Sequence, residues 1–185
     1  RIFLDGGAYT SFGVVTAYYA GSMLPTLYHF PAYKYEGFRM YTNLPACGAM
    51  RGHGTPQPRF AFESLLDECA LELGIDIVDV RLVNAMDPNT RTINDLDVLS
   101  CELKATLKQA RARSGWDEKR KPGALPKGPG IARGIGVGCG GFVSGAGYPI
   151  YRSDFPHSNA VIRVHEDGRA VSLHIAAAEI GQGSD

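Results

Sequence analysis

Glycine constrains this chain more than any other feature. The 185 residues include 23 Gly beside 11 Pro, and the glycines gather at Gly6–Gly7, Gly48–Gly54, Gly134–Gly147 and Gly181–Gly183. Glycine weakens helices and strands, and it suits positions where the backbone takes positive φ or closely approaches another group. The clusters therefore read as loops that punctuate short structured stretches. The remaining composition is that of a globular protein, with 44% hydrophobic and 21% charged residues, enough for one sizeable domain or two small ones. Basic and acidic residues number 19 each, and no basic stripe is visible, which argues against nucleic acid as a partner. No apolar run approaches the roughly 20 residues of a membrane helix, so a membrane is not expected either.

Cys47, Cys69, Cys101 and Cys139 are widely spread. They form no C-x-x-C pair, so this chain offers no zinc ribbon, cysteine-held cluster or disulfide framework. His29, His53, His157, His165 and His174 make no metal-binding spacing, so no metal ligand is assigned. Reduced thiols and the lack of a signal peptide fit a cytoplasmic location. The opening Arg1-Ile2-Phe3 and the stop at Asp185, just after a glycine loop, read as an excerpt of a longer protein.

The expected fold class is α+β, with mixed strands, about three helices and a C-terminal β-hairpin. Aromatic and β-branched residues between Phe12 and Tyr41 predict a β-rich start. From Pro56, the positions Phe62, Leu65, Leu66, Cys69 and Leu73 recur at helical spacing, with Gly74 as the stop. A short helix from Asp76 to about Asn84 follows. A third runs from Ser100 as cap to about Ser114, with Leu103, Leu107 and Ala110 inward. The stretch 119–130, rich in Lys, Pro and Gly, reads as a linker between segments 1–118 and 131–185. Ile131–Cys139 and two runs around Asp167-Gly168 alternate as strands. The latter pair predicts a hairpin with a type I′ turn and with His165 and His174 outward.

Three segments could carry chemistry. Ala46-Cys47-Gly48-Ala49-Met50-Arg51-Gly52-His53-Gly54-Thr55-Pro56-Gln57 is a glycine loop entering a helix, whose N-terminus can offer N–H groups to an anion. Arg51 could stabilise charge developing on a substrate, or simply pair with a carboxylate. Glu179-Ile180-Gly181-Gln182-Gly183 could cradle a phosphate or heterocycle, with the Gln182 amide both donating and accepting, or could be a plain tight turn. In Gly138–Tyr148, Phe142 and Tyr148 could stack on an aromatic ring or pack on the core.

Taken in order, these segments resemble the molybdopterin-binding subunits of the xanthine dehydrogenase/aldehyde oxidase family. There an F-R-G-F-G-x-P-Q loop precedes a long helix, and a glutamate-x-G-Q-G loop follows a hairpin. The resemblance implies a molybdopterin dinucleotide with molybdenum, of the cytosine type. It also implies iron–sulfur clusters and a flavin (FAD) on partner subunits. It makes Arg51 the catalytic arginine beside the substrate, and it gives Gly52, Gly54, Gly181, Gln182 and Gly183 to the cofactor. Cys47, His53, Phe142 and Tyr148 then line the substrate pocket.

Within the family, the runs A-C-G-A-M-R-G-H-G, D-G-G-A-Y-T-S-F-G and G-G-F-V-S-G-A-G-Y-P-I-Y-R-S are most similar to the branch that reductively removes the hydroxyl of 4-hydroxybenzoyl-CoA. That makes an aromatic acyl-CoA the expected substrate. Oxidative hydroxylation of an aldehyde or N-heterocycle is the enzymatic alternative, and a non-catalytic scaffold is the alternative of another class. His53 stands where the family has an aromatic residue, and Cys47 is not placed as in carbon monoxide dehydrogenases. The family's glutamate near molybdenum and its upstream glycine loop fall outside this stretch. The 185-residue piece alone is therefore expected to bind cofactor weakly and to be inactive.

Overall fold

The computed structural model describes residues 1–11, 13–126, 128–142, 159–177, 179 and 181. Contacts divide the chain into two units, Arg1–Phe142 and Val143–Asp185. The proline- and glycine-rich stretch 119–130 lies within the first.

The first unit begins with strand β1 (Ile2–Asp5), helix α1 (Val14–Ser22), a 3-10 turn at Leu24–Thr26 and strand β2 (Gly37–Met40). The strands pair in parallel, Ile2 opposite Gly37 through Asp5 opposite Met40, because a crossover containing α1 joins them. Helix α1 departs from the expected β-rich start. Thr16, Tyr19, Ala20 and Met23 are all buried, and they fall at i, i+3, i+4 and i+7. Burial of that face overrides the β preference of its aromatic residues.

Helix α2 (Pro56–Glu72) follows, then α3 (Ile77–Asn84), the short strands β3 (Thr90–Arg91) and β4 (Asp97–Val98), α4 (Leu103–Ser114) and α5 (Trp116–Lys119). Gly74 ends α2 as expected, with φ at +67°. Gly74 N–H donates to the Leu71 carbonyl and Ile75 N–H to that of Ala70, which closes a Schellman motif. Asp76 caps α3 by accepting from Val78 N–H at 2.8 Å, and its other oxygen accepts from the buried Trp116 indole at 3.0 Å. Burial pushes the Asp76 carboxyl up, but the bonds from Trp116 and Val78 outweigh it and hold the group below its ordinary range.

Three expectations fail here. The inward face of α2 carries Pro58, Arg59, Glu63 and Ala70, with Phe62 and Leu66 partly buried. Leu65, Cys69 and Leu73 are exposed. Hydrophobic spacing misplaced the face because two buried charges sit on it. The cap of α4 is Glu102 rather than Ser100, since Asn89 N–H still bonds the Leu99 carbonyl and keeps that stretch with the β3–β4 hairpin. Ala110 is exposed, although Leu107 is buried.

Ile131–Cys139 forms no strand beyond a bridge between Gly128 and Ile131. Its alternation is nevertheless real, because Ile135, Val137 and Cys139 face the core while the glycines between them do not.

In the second unit, β5 (Ala160–Val164) and β6 (Val171–Ile175) pair antiparallel, Val164 opposite Val171. The hairpin is the one expected, but its turn is not type I′. Gly168 is at positive φ and Asp167 is not, whereas I′ needs both central residues there. Gly168 N–H instead donates to the His165 carbonyl. His165 and His174 are exposed as expected, and the His165 ring is 2.9 Å from Ser172 Oγ.

Candidate functional site

The Arg51 loop is seated by the glycine turn that follows β1. Gly6 N–H donates to the Met40 carbonyl, Ala8 N–H to that of Leu44, and Cys47 N–H to that of Gly6. A Cβ on Gly7, which has φ of +71°, would lie 2.2 Å from the Pro45 carbonyl oxygen. Asp5 locks the turn by accepting from Thr42 Oγ1 at 2.6 Å and Gly7 N–H at 2.9 Å. Those two bonds, Thr42 first, hold its carboxyl below the ordinary range.

From this seat the chain turns at Gly52, His53 and Gly54, which have consecutive φ values of +92°, +39° and +91°. His53 N–H donates to the Met50 carbonyl, and Thr55 closes the turn through its N–H and Oγ1 to the Gly52 carbonyl. A Cβ on Gly54 would sit 2.4 Å from the Thr16 carbonyl oxygen, so the loop rests directly on α1. Arg51 is exposed at the crest of this turn. The N-terminus of α2 is a poorer anion site than expected, because Pro56 and Pro58 remove two of its first amide donors.

Of the expected pocket residues, Cys47, His53 and Phe142 are described, and the structure brings His53 and Phe142 to one tyrosine while Cys47 packs elsewhere. The Cys47 thiol packs on Gly13, where a Cβ would be 2.2 Å from Sγ, and lies 4.0 Å from Arg39 Nη2. The His53 ring lies 5.1 Å from that of Tyr19, and the Phe142 ring lies 5.5 Å from the same tyrosine. Tyr19, only 2% exposed, thus joins the Arg51 loop to the glycine segment ending at Phe142. Sequence reasoning missed it, although its helical spacing with Thr16, Ala20 and Met23 was a usable signal. Tyr148, Gln182 and Gly183 lie outside the described residues. Gly181, in the second unit, has φ of +95°, and its N–H is accepted by the Glu179 carboxylate.

A buried polar cluster joins α2 to α3, Tyr28 and Cys139. Glu63 Oε1 accepts from Tyr28 Oη at 2.7 Å, and Oε2 accepts from Arg81 Nε at 2.8 Å and Cys139 N–H at 3.0 Å. Arg81, fully buried, also donates to Asp67 at 2.7 Å and to the Ile77 and Glu63 carbonyls. Arg59 donates to the Met23 carbonyl at 3.0 Å. Burial first, then Cys139 and Glu63, pushes the Tyr28 phenol well above its ordinary value, and burial also raises the Cys139 thiol.

Among the described residues no cluster of His, Cys, Asp or Glu could hold a metal ion. The feature of the loop that fits a bound group is the buried, unpartnered Thr16 hydroxyl behind it; the spaces that side chains at Gly52 and Gly54 would take are filled by Pro56 and Thr16.

Residues 1–85 and 109–185 each match a family model described as a molybdopterin cofactor-binding domain. The chain belongs to the molybdopterin cofactor-binding domains of the xanthine dehydrogenase/aldehyde oxidoreductase family. It is 36% identical over 180 residues to the xanthine dehydrogenase molybdenum-binding subunit of Escherichia coli O157:H7, covering 97% of this chain and 23% of that one. It is 28% identical over 193 residues to the aldehyde oxidoreductase of Megalodesulfovibrio gigas, covering 98% of this chain and 19% of the relative. The fold resembles the crystal structure of the Desulfovibrio desulfuricans aldehyde oxidoreductase, with a TM-score of 0.56 and 26% identity over 64% of this chain and 13% of that one. The chain thus spans about a quarter or less of these relatives. They support the family, and none of the three is a 4-hydroxybenzoyl-CoA reductase. Among the described residues no helix is long and apolar enough to cross a membrane.

Proposed function

We propose that this chain is part of a molybdenum-dependent oxidoreductase of the xanthine dehydrogenase type, which oxidises an aldehyde or an N-heterocycle. The observation that carries the reading is the left-handed Gly52-His53-Gly54 turn with Arg51 at its crest and the Tyr19–His53–Phe142 rings beside it. The relatives named above favour this oxidative reading over reductive dehydroxylation of 4-hydroxybenzoyl-CoA.

When bound, the molybdopterin group supplies a two-electron redox centre. The residues of this chain do the rest of the work proposed here. By resemblance to the family, the cofactor is assigned to Gly52 and Gly54 and, separately, to Gly181, Gln182 and Gly183. Arg51 holds a fixed positive charge where negative charge gathers on the substrate. The same resemblance assigns Cys47, His53, Phe142 and Tyr148 to the substrate pocket, and of these the His53 and Phe142 rings both meet Tyr19. The cytosine dinucleotide form, the iron–sulfur and FAD-bearing partner subunits and a cytoplasmic location, suited to four free thiols, belong to the same proposal.

The acyl-CoA reading rests on the text of the Cys47–Gly54 and Asp5–Gly13 runs, and one experiment separates the two. The full-length protein with its partner subunits is given an aldehyde or a purine with an oxidised dye, or 4-hydroxybenzoyl-CoA with reduced viologen under anaerobic conditions. Dye reduction without benzoyl-CoA formation is the expected result. Benzoyl-CoA as the only product overturns the oxidative reading, and no turnover in either direction favours the scaffold.

A further inference from the structure

We propose that Glu63 is a positioning residue that fixes the glycine segment ending at Phe142, and thereby sets the distance from Phe142 to the Arg51 loop. Ile135, Val137 and Cys139 pack on the core, but the backbone of the segment has few hydrogen bonds to fix it. Among the described residues, no backbone-to-backbone hydrogen bond anchors residues 132–142, and glycines at 134, 136, 138, 140 and 141 leave it conformationally loose. Among the described residues, its backbone is anchored by the hydrogen bond from Cys139 N–H to Glu63 Oε2 at 3.0 Å, in the protein interior, and the Cys139 thiol meets Tyr28, which is bonded to the same carboxylate. Next to that anchor, Gly141 is pressed so close to Leu27 that a Cβ would lie 2.9 Å from Cδ2. The ring of Phe142 then meets Tyr19, which meets His53. Glu63 sits on α2, the helix that continues directly from the Arg51 loop. One side chain therefore ties the glycine segment to the element that carries the loop.

The carboxylate has two separable properties. Its charge faces Arg81, which is also paired with Asp67, and Arg59, whose guanidinium interacts with the same carboxylate. Its reach allows Oε2 to meet Arg81 and Cys139 N–H together while Oε1 meets Tyr28. Aspartate keeps the charge and shortens the reach by one methylene. Glutamine keeps the reach and removes the charge. Charge serves folding, and reach serves position.

The role of Phe142 in the pocket rests on the function proposed above, whereas the anchoring of residues 138–142 does not, so the test reads both. Full-length holoprotein is compared as wild type, Glu63→Asp and Glu63→Gln by melting temperature, amide exchange and steady-state kinetics with the aldehyde or heterocycle that the wild type oxidises. In Glu63→Asp, exchange of the Cys139 amide, the one bonded to Glu63, rises by about tenfold or more while α2 and α3 stay protected. In that variant KM also rises several-fold with kcat within about twofold. Glu63→Gln melts lower but keeps exchange of the Cys139 amide and KM near wild type. The reverse ranking, with exchange and KM following melting temperature, overturns the proposal.

Faster exchange in Glu63→Asp with KM unmoved overturns the positioning role, and it leaves the Arg51 assignment, which Arg51→Ala tests separately, untouched. Should Glu63→Asp fail to accumulate, a folded Glu63→Gln protein with raised KM and fast exchange contradicts the account by itself. Retained KM and slow exchange support it.

Discussion

The Arg51 loop and the helical block that follows it are held by opposite means. In the block, α2 and α3 are locked by side chains. Arg81 is wholly buried and shares its guanidinium between Glu63 and Asp67, and Trp116 reaches the cap of α3. In the loop, the backbone does the work, turning through three successive left-handed residues and lying against the Thr16 carbonyl. Side chains that satisfy one another leave nothing to offer a ligand. Arg51, by contrast, is exposed on the loop. The contrast separates the part that folds from the part proposed to work, and mutations can break it from either side.

The largest expected effect is in the block. Arg81→Ala leaves Glu63 and Asp67 without their buried cation and is expected to destabilise by about 3–5 kcal/mol, read as the shift in a urea unfolding midpoint. Comparable loss in Arg51→Ala would erase the distinction, since an exposed residue should change stability by no more than about 0.5 kcal/mol. Gly54→Ala comes next. It places a side chain at φ of +91° and against the Thr16 carbonyl, so a loss of about 1–3 kcal/mol is expected, with exchange faster at 50–55 and unchanged in α3.

Smaller again is Asp76→Ala, which removes both the cap of α3 and the acceptor for Trp116. About 1–2 kcal/mol is expected, followed by the fluorescence of Trp116, the single tryptophan. Asp76 also gives the block an acid dependence. Its folded pKa is depressed, so its contribution is complete above the unfolded value of about 3.9 and is lost as pH falls through the folded value. Stability should therefore fall more steeply below about pH 4 in the wild type than in Asp76→Ala. The smallest effect is that of His53→Gly. Relief of the positive φ and loss of the ring contact with Tyr19 oppose each other, so stability should move by less than about 1 kcal/mol.

Legibility in the sequence follows the same division. Elements defined by backbone chemistry were readable. Gly74 announced the end of α2, Asp76 the start of α3, and the two alternating runs around Gly168 their hairpin. The glycines at 52 and 54 marked the loop itself. Elements defined by long-range pairing were not readable. Nothing local says that Arg59 and Glu63 turn inward while Leu65 and Leu73 turn out, because their partners Met23 and Arg81 are brought together only by the fold. The aromatic residues of α1 looked like a strand for the same reason, and with that helix Tyr19 escaped notice. Residues 131–139 alternate as a strand does, but the acceptor for Cys139 N–H is a side chain from α2 rather than a neighbouring strand.

The account stands most directly on Arg51. In the full-length protein with its partner subunits, Arg51→Ala should lower turnover of the aldehyde or heterocycle by about 10²–10³-fold. Its bound molybdenum and its melting temperature should match those of the wild type. Turnover unchanged in a variant that carries the same molybdenum would contradict the claim that this loop is the working surface.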